Sequence, residues 1–183
     1  MMAVIGASLE GSRRAWQSFQ GKCCDQLPSR FPDGVRFTGN SEGVIEHLPN
    51  YERVLKKFYR LLKPGGRVFL DGSAAKKKYE LSTFMVRHIY PGNHSFLVLD
   101  DFLNKVGRTD FEAMEIHNDR WSYFLTFRQW ARNLGANRDY VRSTFGDFEY
   151  RKFRLYLWGA AYEFLARNLD CYRLILYKPL DAR

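Results

Sequence analysis

From Tyr51 to Leu62 hydrophobic positions recur every three to four residues. Tyr51, Val54, Leu55, Phe58, Leu61 and Leu62 fall on one face, and Glu52, Arg53, Lys56, Lys57 and Arg60 on the other. That period predicts an amphipathic helix. Pro49-Asn50 offers its start, and Pro64-Gly65-Gly66 its stop, because proline cannot continue the ladder and glycine accepts positive φ. Arg67–Asp71 then reads as a buried strand. The small residues Gly72-Ser73-Ala74-Ala75 end it, as expected where a backbone passes close to something. The run Glu46–Asp71 is therefore one helix-to-strand step of a larger sheet.

Downstream, the pattern predicts helices over Tyr79–His88 and Leu97–Val106, on either side of Tyr90-Pro91-Gly92-Asn93, and a strand over Phe111–Ile116. A helix over Phe124–Leu134 follows, then a long amphipathic helix over Phe148–Leu169. Phe153, Leu157, Ala160, Phe164 and Leu165 form its stripe, with Gly159 as a weak point. Cys171–Tyr177 closes the chain as a strand before Pro179. Upstream, only Val4-Ile5 and Val35–Thr38 are strand candidates, and Gly6 and Gly11, five apart, match phosphate-binding fingerprints poorly. The order strand, helix, strand, helices, strand, helices, strand is the second half of a doubly wound α/β sheet with a helical insertion.

Composition sets bounds on this picture. The 183 residues are 45% hydrophobic, enough for one domain with a real core. No apolar run approaches the roughly 18 residues of a spanning helix. Cys23, Cys24 and Cys171 are an odd count without ligand-like spacing, which supports neither a disulfide framework nor a zinc site and leaves a cytoplasmic chain as the default. The net charge of +9 favours anionic partners, acidic lipid headgroups or nucleic acid. Its basic clusters, Arg13-Arg14, Lys56-Lys57, Lys76–Lys78 and Arg151-Lys152, are short and scattered, and no nucleic-acid-binding motif accompanies them. Nucleic acid is thereby disfavoured. Lys76–Lys78 stands out because it follows a strand end, where the loops of α/β folds meet ligands.

Candidate chemistry lies in two places. Glu46 and His47 sit between a strand candidate and a clear helix, at the carboxyl ends of the strands; the acid could hold a cation or a proton, or simply cap the helix. Tyr123 lies in the aromatic-dense run Trp121–Trp130, and Tyr150, Phe153, Tyr156, Trp158, Tyr162 and Phe164 extend the same theme. Such density suits either ordinary core or a lid over a long acyl chain. His88, His94 and His117 lack metal-ligand spacing, and no GxSxG elbow occurs.

Four blocks in order, EGVIEHLPNYERVLKKFYRLLKPGGRVFLDGSA, YPGN, SYFLTFRQW and EYRKFRLYLWGAAYEFLARNLDCYRLIL, resemble the cyclopropane-fatty-acyl-phospholipid synthases and mycolic acid cyclopropane synthases over residues 41–178. The resemblance implies a class I methyltransferase fold, of Rossmann type. It implies S-adenosylmethionine as cofactor and an unsaturated acyl chain of a lipid or phospholipid as substrate, reached by a cytoplasmic or membrane-peripheral chain. In that family a methyl goes to an alkene carbon, and a bound bicarbonate takes a proton from the resulting carbocation to close a ring; water or hydride gives branches instead. Glu46 matches the family's bicarbonate-binding glutamate, and Tyr123 its catalytic tyrosine. His47 and Asp71 fall at cofactor-side positions.

Departures accompany the likeness. Asp71 stands where the family has histidine, Ser122 where it has another, and Asn93 where it has glycine. The family's DxGxGxG loop, its ribose-gripping acid and its more N-terminal cysteine have no match in residues 1–40, for Cys23 and Cys24 lie too near Glu46. The expectation is a single methyltransferase domain lacking its first strands, the carboxy-terminal part of a truncated enzyme. A complementary chain would restore the missing half, and a homodimer is the other partner expected. The rival expectation is a non-catalytic lipid- or protein-binding module.

Overall fold

A computed structural model describes residues 38–42, 45–48, 50–90 and 94–180. Val4-Ile5, Gly6–Gly11, Cys23, Cys24, residues 35–37, Pro49 and residues 91–93 lie outside these.

Four strands form one sheet in the order β1-β2-β4-β3: β1 (Thr38–Glu42), β2 (Arg67–Ala74), β3 (Glu112–Asn118) and β4 (Asp170–Tyr177). β1 and β2 are parallel, with Thr38 beside Arg67 and Glu42 beside Asp71. α1 (Tyr51–Leu61) makes the crossover that a parallel pair requires. β4 runs antiparallel between β2 and β3. This is the partial Rossmann-like sheet expected, ending in antiparallel strands. Thr38, the last residue of the predicted Val35–Thr38 strand, is the first described residue of β1, and parallel pairing on β2 holds the polar segment TGNSE against its weak strand propensity.

α1 starts where Asn50 accepts a hydrogen bond from the Arg53 amide at 3.1 Å, an N-cap. It buries Tyr51, Val54 and Leu55. Lys178 ties off its end by donating Nζ to the Tyr59 and Leu62 carbonyls, each at 2.8 Å. Gly65 takes φ +79° in the turn to β2 and donates its amide to the Lys178 carbonyl. On β2, Val68 and Leu70 pair with Leu176 and Leu174 of β4, an apolar cross-strand set. α2 (Leu99–Val106) packs beside α1, with the Tyr51 and Phe102 rings edge to face at 5.2 Å.

The other layer is helical: α3 (Arg120–Ala136), α4 (Arg138–Phe145) and α5 (Asp147–Leu165). Phe124, Phe127 and Ala131 of α3 pack with Leu157, Ala161 and Phe164 of α5 and with Cys171 of β4. α4 was absent from the expected pattern: its eight residues RDYVRSTF bury nothing, and Tyr140, Val141 and Phe145 are too few to mark a helix within a polar run. α3 runs beyond the expected Phe124–Leu134 at both ends, and α5 stops at Leu165. The helix expected over Tyr79–His88 shrinks to a π turn at Met85–Ile89; Tyr79 adopts φ +60°, which no helix accommodates.

β3 is an edge strand whose residues are all exposed. A bulge at Met114 and the charges of Glu112 and Glu115 break the regular edge that another chain could extend.

Candidate functional site

The carboxyl ends of the parallel strands β1 and β2 hold the site, as expected for a doubly wound sheet. After β1 the chain makes a 3₁₀ turn, Ile45–His47. β2 lets that turn approach because Gly72 lacks a side chain: a Cβ there would stand 2.6 Å from Ile45 Cγ2. Glu46 is thereby buried, and its Oε1 accepts a hydrogen bond from the Ser73 amide. Its own carbonyl accepts from the Ser95 amide at 2.8 Å, and Leu97 continues along β2 by donating to the Ser73 carbonyl. Glu46 is therefore clamped between two backbone segments. The helix cap is Asn50 instead, which removes the capping alternative for Glu46.

Burial raises the Glu46 carboxyl to about 7, with the Asp71 charge adding to the rise and the hydrogen bonds from Ser73 opposing it. Near neutral pH this acid is poised between its two states. His94, fully buried, places Nε2 3.9 Å from Glu46 Oε2 and stacks on Tyr90 with ring centroids 4.1 Å apart.

Glu46 forms part of the wall of a cavity of about 490 Å³. That is within the roughly 300–1,000 Å³ of small-molecule sites. Phe84, Tyr90, Phe96, Phe127, Tyr156 and Phe164 supply aromatic wall, while Leu81, Met85, Leu155 and Leu169 supply aliphatic wall. The charged wall residues, Glu46, Glu80 and Glu163, are all acidic in a chain of net charge +9. Tyr90 and Tyr156 share a hydrogen bond of 2.7 Å between hydroxyls, with Tyr156 pushed up to about 12 by burial and Tyr90 raised for the same cause.

Tyr123 and Asp71 meet beside this cavity. Tyr123 donates its hydroxyl to Asp71 Oδ2 at 2.8 Å, and the Cys171 thiol donates to Oδ1 at 3.2 Å. Burial raises both donors, so both remain protonated at neutral pH and both oxygens of Asp71 are engaged. Asp71 and Ser73 share a face of β2, which connects this trio to Glu46 through the strand. His47 lies in the 3₁₀ turn. Lys78, singled out in the sequence for its place after a strand end, is paired with Asp101 at 2.5 Å and lies 4.1 Å above the Tyr51 ring.

Sequence reasoning missed Tyr90, Ser73 and Cys171 as members of the site. Tyr90 is read there only as a turn neighbour, while Tyr156 is one ring among those set down as core or acyl-chain lid.

The sequence profile of the mycolic acid cyclopropane synthetase family matches residues 38–174. The chain belongs to that family. Among curated relatives, it is 25% identical over 146 residues to the sphingolipid C9-methyltransferase of Komagataella phaffii, which covers 76% of this chain and 30% of the relative. It is 27% identical over 178 residues to the sphingolipid C9-methyltransferase of Candida albicans, with 86% and 35% covered. The chain thus spans about a third of the length of these relatives. In structure it is similar to mycolic acid cyclopropane synthase CmaA1 complexed with SAH and CTAB, at TM-score 0.67 and 19% identity over 74% of this chain and 53% of that one. The fold class expected from the sequence, a class I methyltransferase, is the one observed.

S-adenosylmethionine needs a glycine-rich strand-to-helix turn for close backbone approach and an acid for its ribose hydroxyls. Among the described residues no such turn is present. The described residues do not by themselves fit the whole donor.

Proposed function

We propose that the described residues form the acceptor side of an S-adenosylmethionine-dependent lipid methyltransferase, which holds the unsaturated acyl chain of a sphingolipid or phospholipid. The observation that carries this reading is the buried Glu46 carboxyl in the wall of an aromatic cavity at the carboxyl ends of β1 and β2. Family membership supplies the methyl donor, and the names of the curated relatives favour methyl addition to a sphingolipid over ring closure.

The chemistry of the wall suits an alkene acceptor. Methyl addition to a carbon–carbon double bond leaves positive charge on the acyl chain. Aromatic faces and the acidic residues of the wall favour that charge, and the apolar lining excludes the water that would quench it. Glu46, with a pKa of about 7, accepts a proton at neutral pH without an intermediary, so bicarbonate is dispensable in this reading. Tyr123 acts as a positioning residue, holding Asp71 beside the Glu46 turn.

The test is binding of an oleoyl lipid to the purified chain, followed by displacement of a fluorescent fatty acid. Ala160→Trp, which fills the cavity, should weaken binding at least tenfold while the far-ultraviolet circular dichroism stays unchanged; unaltered binding would sink the reading. Calorimetric titration with S-adenosylmethionine then separates an enzyme from the second reading, a non-catalytic lipid-binding module. Saturable one-to-one binding with label transfer to lipid supports catalysis. The second reading is favoured by the missing donor cradle among the described residues.

A further inference from the structure

The helical layer has an outer side that its own packing does not use. α5 places apolar side chains beyond the stripe that packs on α3, where burial would be their usual state. Yet Leu155, Trp158, Tyr162 and Leu165 are between 44% and 63% exposed. Together with Arg151 and Arg154 they fall at i, i+3, i+4, i+7, i+11 and i+14, a single face. α3 repeats the device: Trp121, Leu125, Arg128 and Arg132 fall at i, i+4, i+7 and i+11, and Trp121 and Leu125 are exposed.

Charge decides what such a face suits. α3 contains no acidic residue. Of the three acidic residues of α5, Asp147 and Glu149 are already engaged by Arg142, Arg151 and Lys152, and Glu163 lies in the cavity wall. Arg128, Arg132, Arg138 and Arg154 have no carboxylate partner among the described residues. Exposed tryptophan, tyrosine and leucine interleaved with unneutralised arginine is the composition of a surface that lies in the headgroup layer of an anionic bilayer. A second copy of the chain would bring these arginines against one another, like charge on like. Among the described residues no helix is long and apolar enough to cross a membrane, so the contact is one of lying on the surface.

We propose that the outer faces of α3 and α5 dock the protein on an anionic lipid membrane. Leu155 lies both on this face and in the cavity wall, so docking sets the cavity beside the acyl region. This goes beyond the acceptor reading and stands on the arginines and tryptophans of the outer faces, which share only Leu155 with the cavity.

The experiment uses the full chain without methyl donor. Co-sedimentation is measured with vesicles of phosphatidylcholine alone and of phosphatidylcholine with phosphatidylserine, at low and high salt. Binding should need phosphatidylserine and fall with salt. The triple variant Arg128→Glu, Arg132→Glu, Arg154→Glu should weaken it at least tenfold. Brominated acyl chains should quench the tryptophan fluorescence, and Trp158→Phe combined with Trp121→Phe should remove most of that quenching. The triple variant alters only exposed or half-exposed positions, and its circular dichroism checks folding. Vesicle binding indifferent to phosphatidylserine, no binding, or a concentration-dependent dimer that shields Trp158 from soluble quencher would each overturn the proposal. Oleoyl-lipid displacement in the cavity, measured without vesicles, should be unaffected by the triple variant, so failure here and failure of the acceptor reading give different results.

Discussion

α1 and α5 solve the burial problem in opposite ways. α1 keeps its apolar residues on one stripe, buries Tyr51, Val54 and Leu55 against the sheet side, and presents charge elsewhere, including a Glu52–Lys56 pair at 2.6 Å. α5 carries apolar residues on several faces, interspersed with charge, in place of the single stripe expected, and it meets three environments. Leu157, Ala161 and Phe164 enter the core with α3; Tyr156 and Ala160 line the cavity; Trp158 and Tyr162 face outward. A helix with a single buried stripe is scaffold, while one with apolar residues on several faces has a use for each.

The largest expected effect separates the faces of α5 itself. Phe164→Ala should lower unfolding free energy by about 3–5 kcal/mol in urea titration, since it empties a core site that is 1% exposed. If the loss were below about 1 kcal/mol, the division of α5 into core and outer face would fail.

Next comes the cavity against the core. Glu46 has a folded pKa raised from 4.5 to about 7, so the native state binds the proton more tightly than the unfolded chain. Its contribution therefore favours folding below about pH 4.5 and is lost as pH rises through about 7. The difference amounts to about 3 kcal/mol. Glu46→Gln should remove that slope from stability measured between pH 4.5 and 8, leaving the mutant the more stable protein at pH 8.

Gly72→Ala sharpens the link between scaffold and site. Its Cβ would crowd Ile45 and push the 3₁₀ turn off β2. The expected cost is about 1–3 kcal/mol, accompanied by a lower Glu46 pKa as the carboxyl gains solvent, visible by carboxyl-resolved NMR titration. A smaller loss follows at the start of α1: Asn50→Ala should cost about 1 kcal/mol of stability by freeing the Arg53 amide. The smallest effect belongs to the outer face of α5. Tyr162→Ser should change the melting free energy by less than about 0.5 kcal/mol, and a larger loss would mean that the face is packed rather than free to dock.

Legibility in the sequence followed the same contrast. α1 and β2 were readable because one stripe, one cap and one Pro-Gly-Gly stop act within a dozen residues. The closing strand was readable from its apolar run before Pro179, and its observed bounds differ by one residue. α4 and the π turn escaped because both are short and bury no residue, and Gly39–Glu42 of β1 escaped because pairing on β2 outweighs their composition.

What the sequence determined alone was local periodicity and family: four ordered blocks and Glu46 among their matched positions. What only the tertiary structure decided was company. Tyr123 reaches Asp71 across 52 residues, Cys171 reaches it across 100, and Tyr90 meets Tyr156 across 66. Periodicity arises from neighbours on one element and survives in a linear reading. A hydrogen bond between distant side chains depends on strand register and helix packing, and these exist only once the sheet has formed.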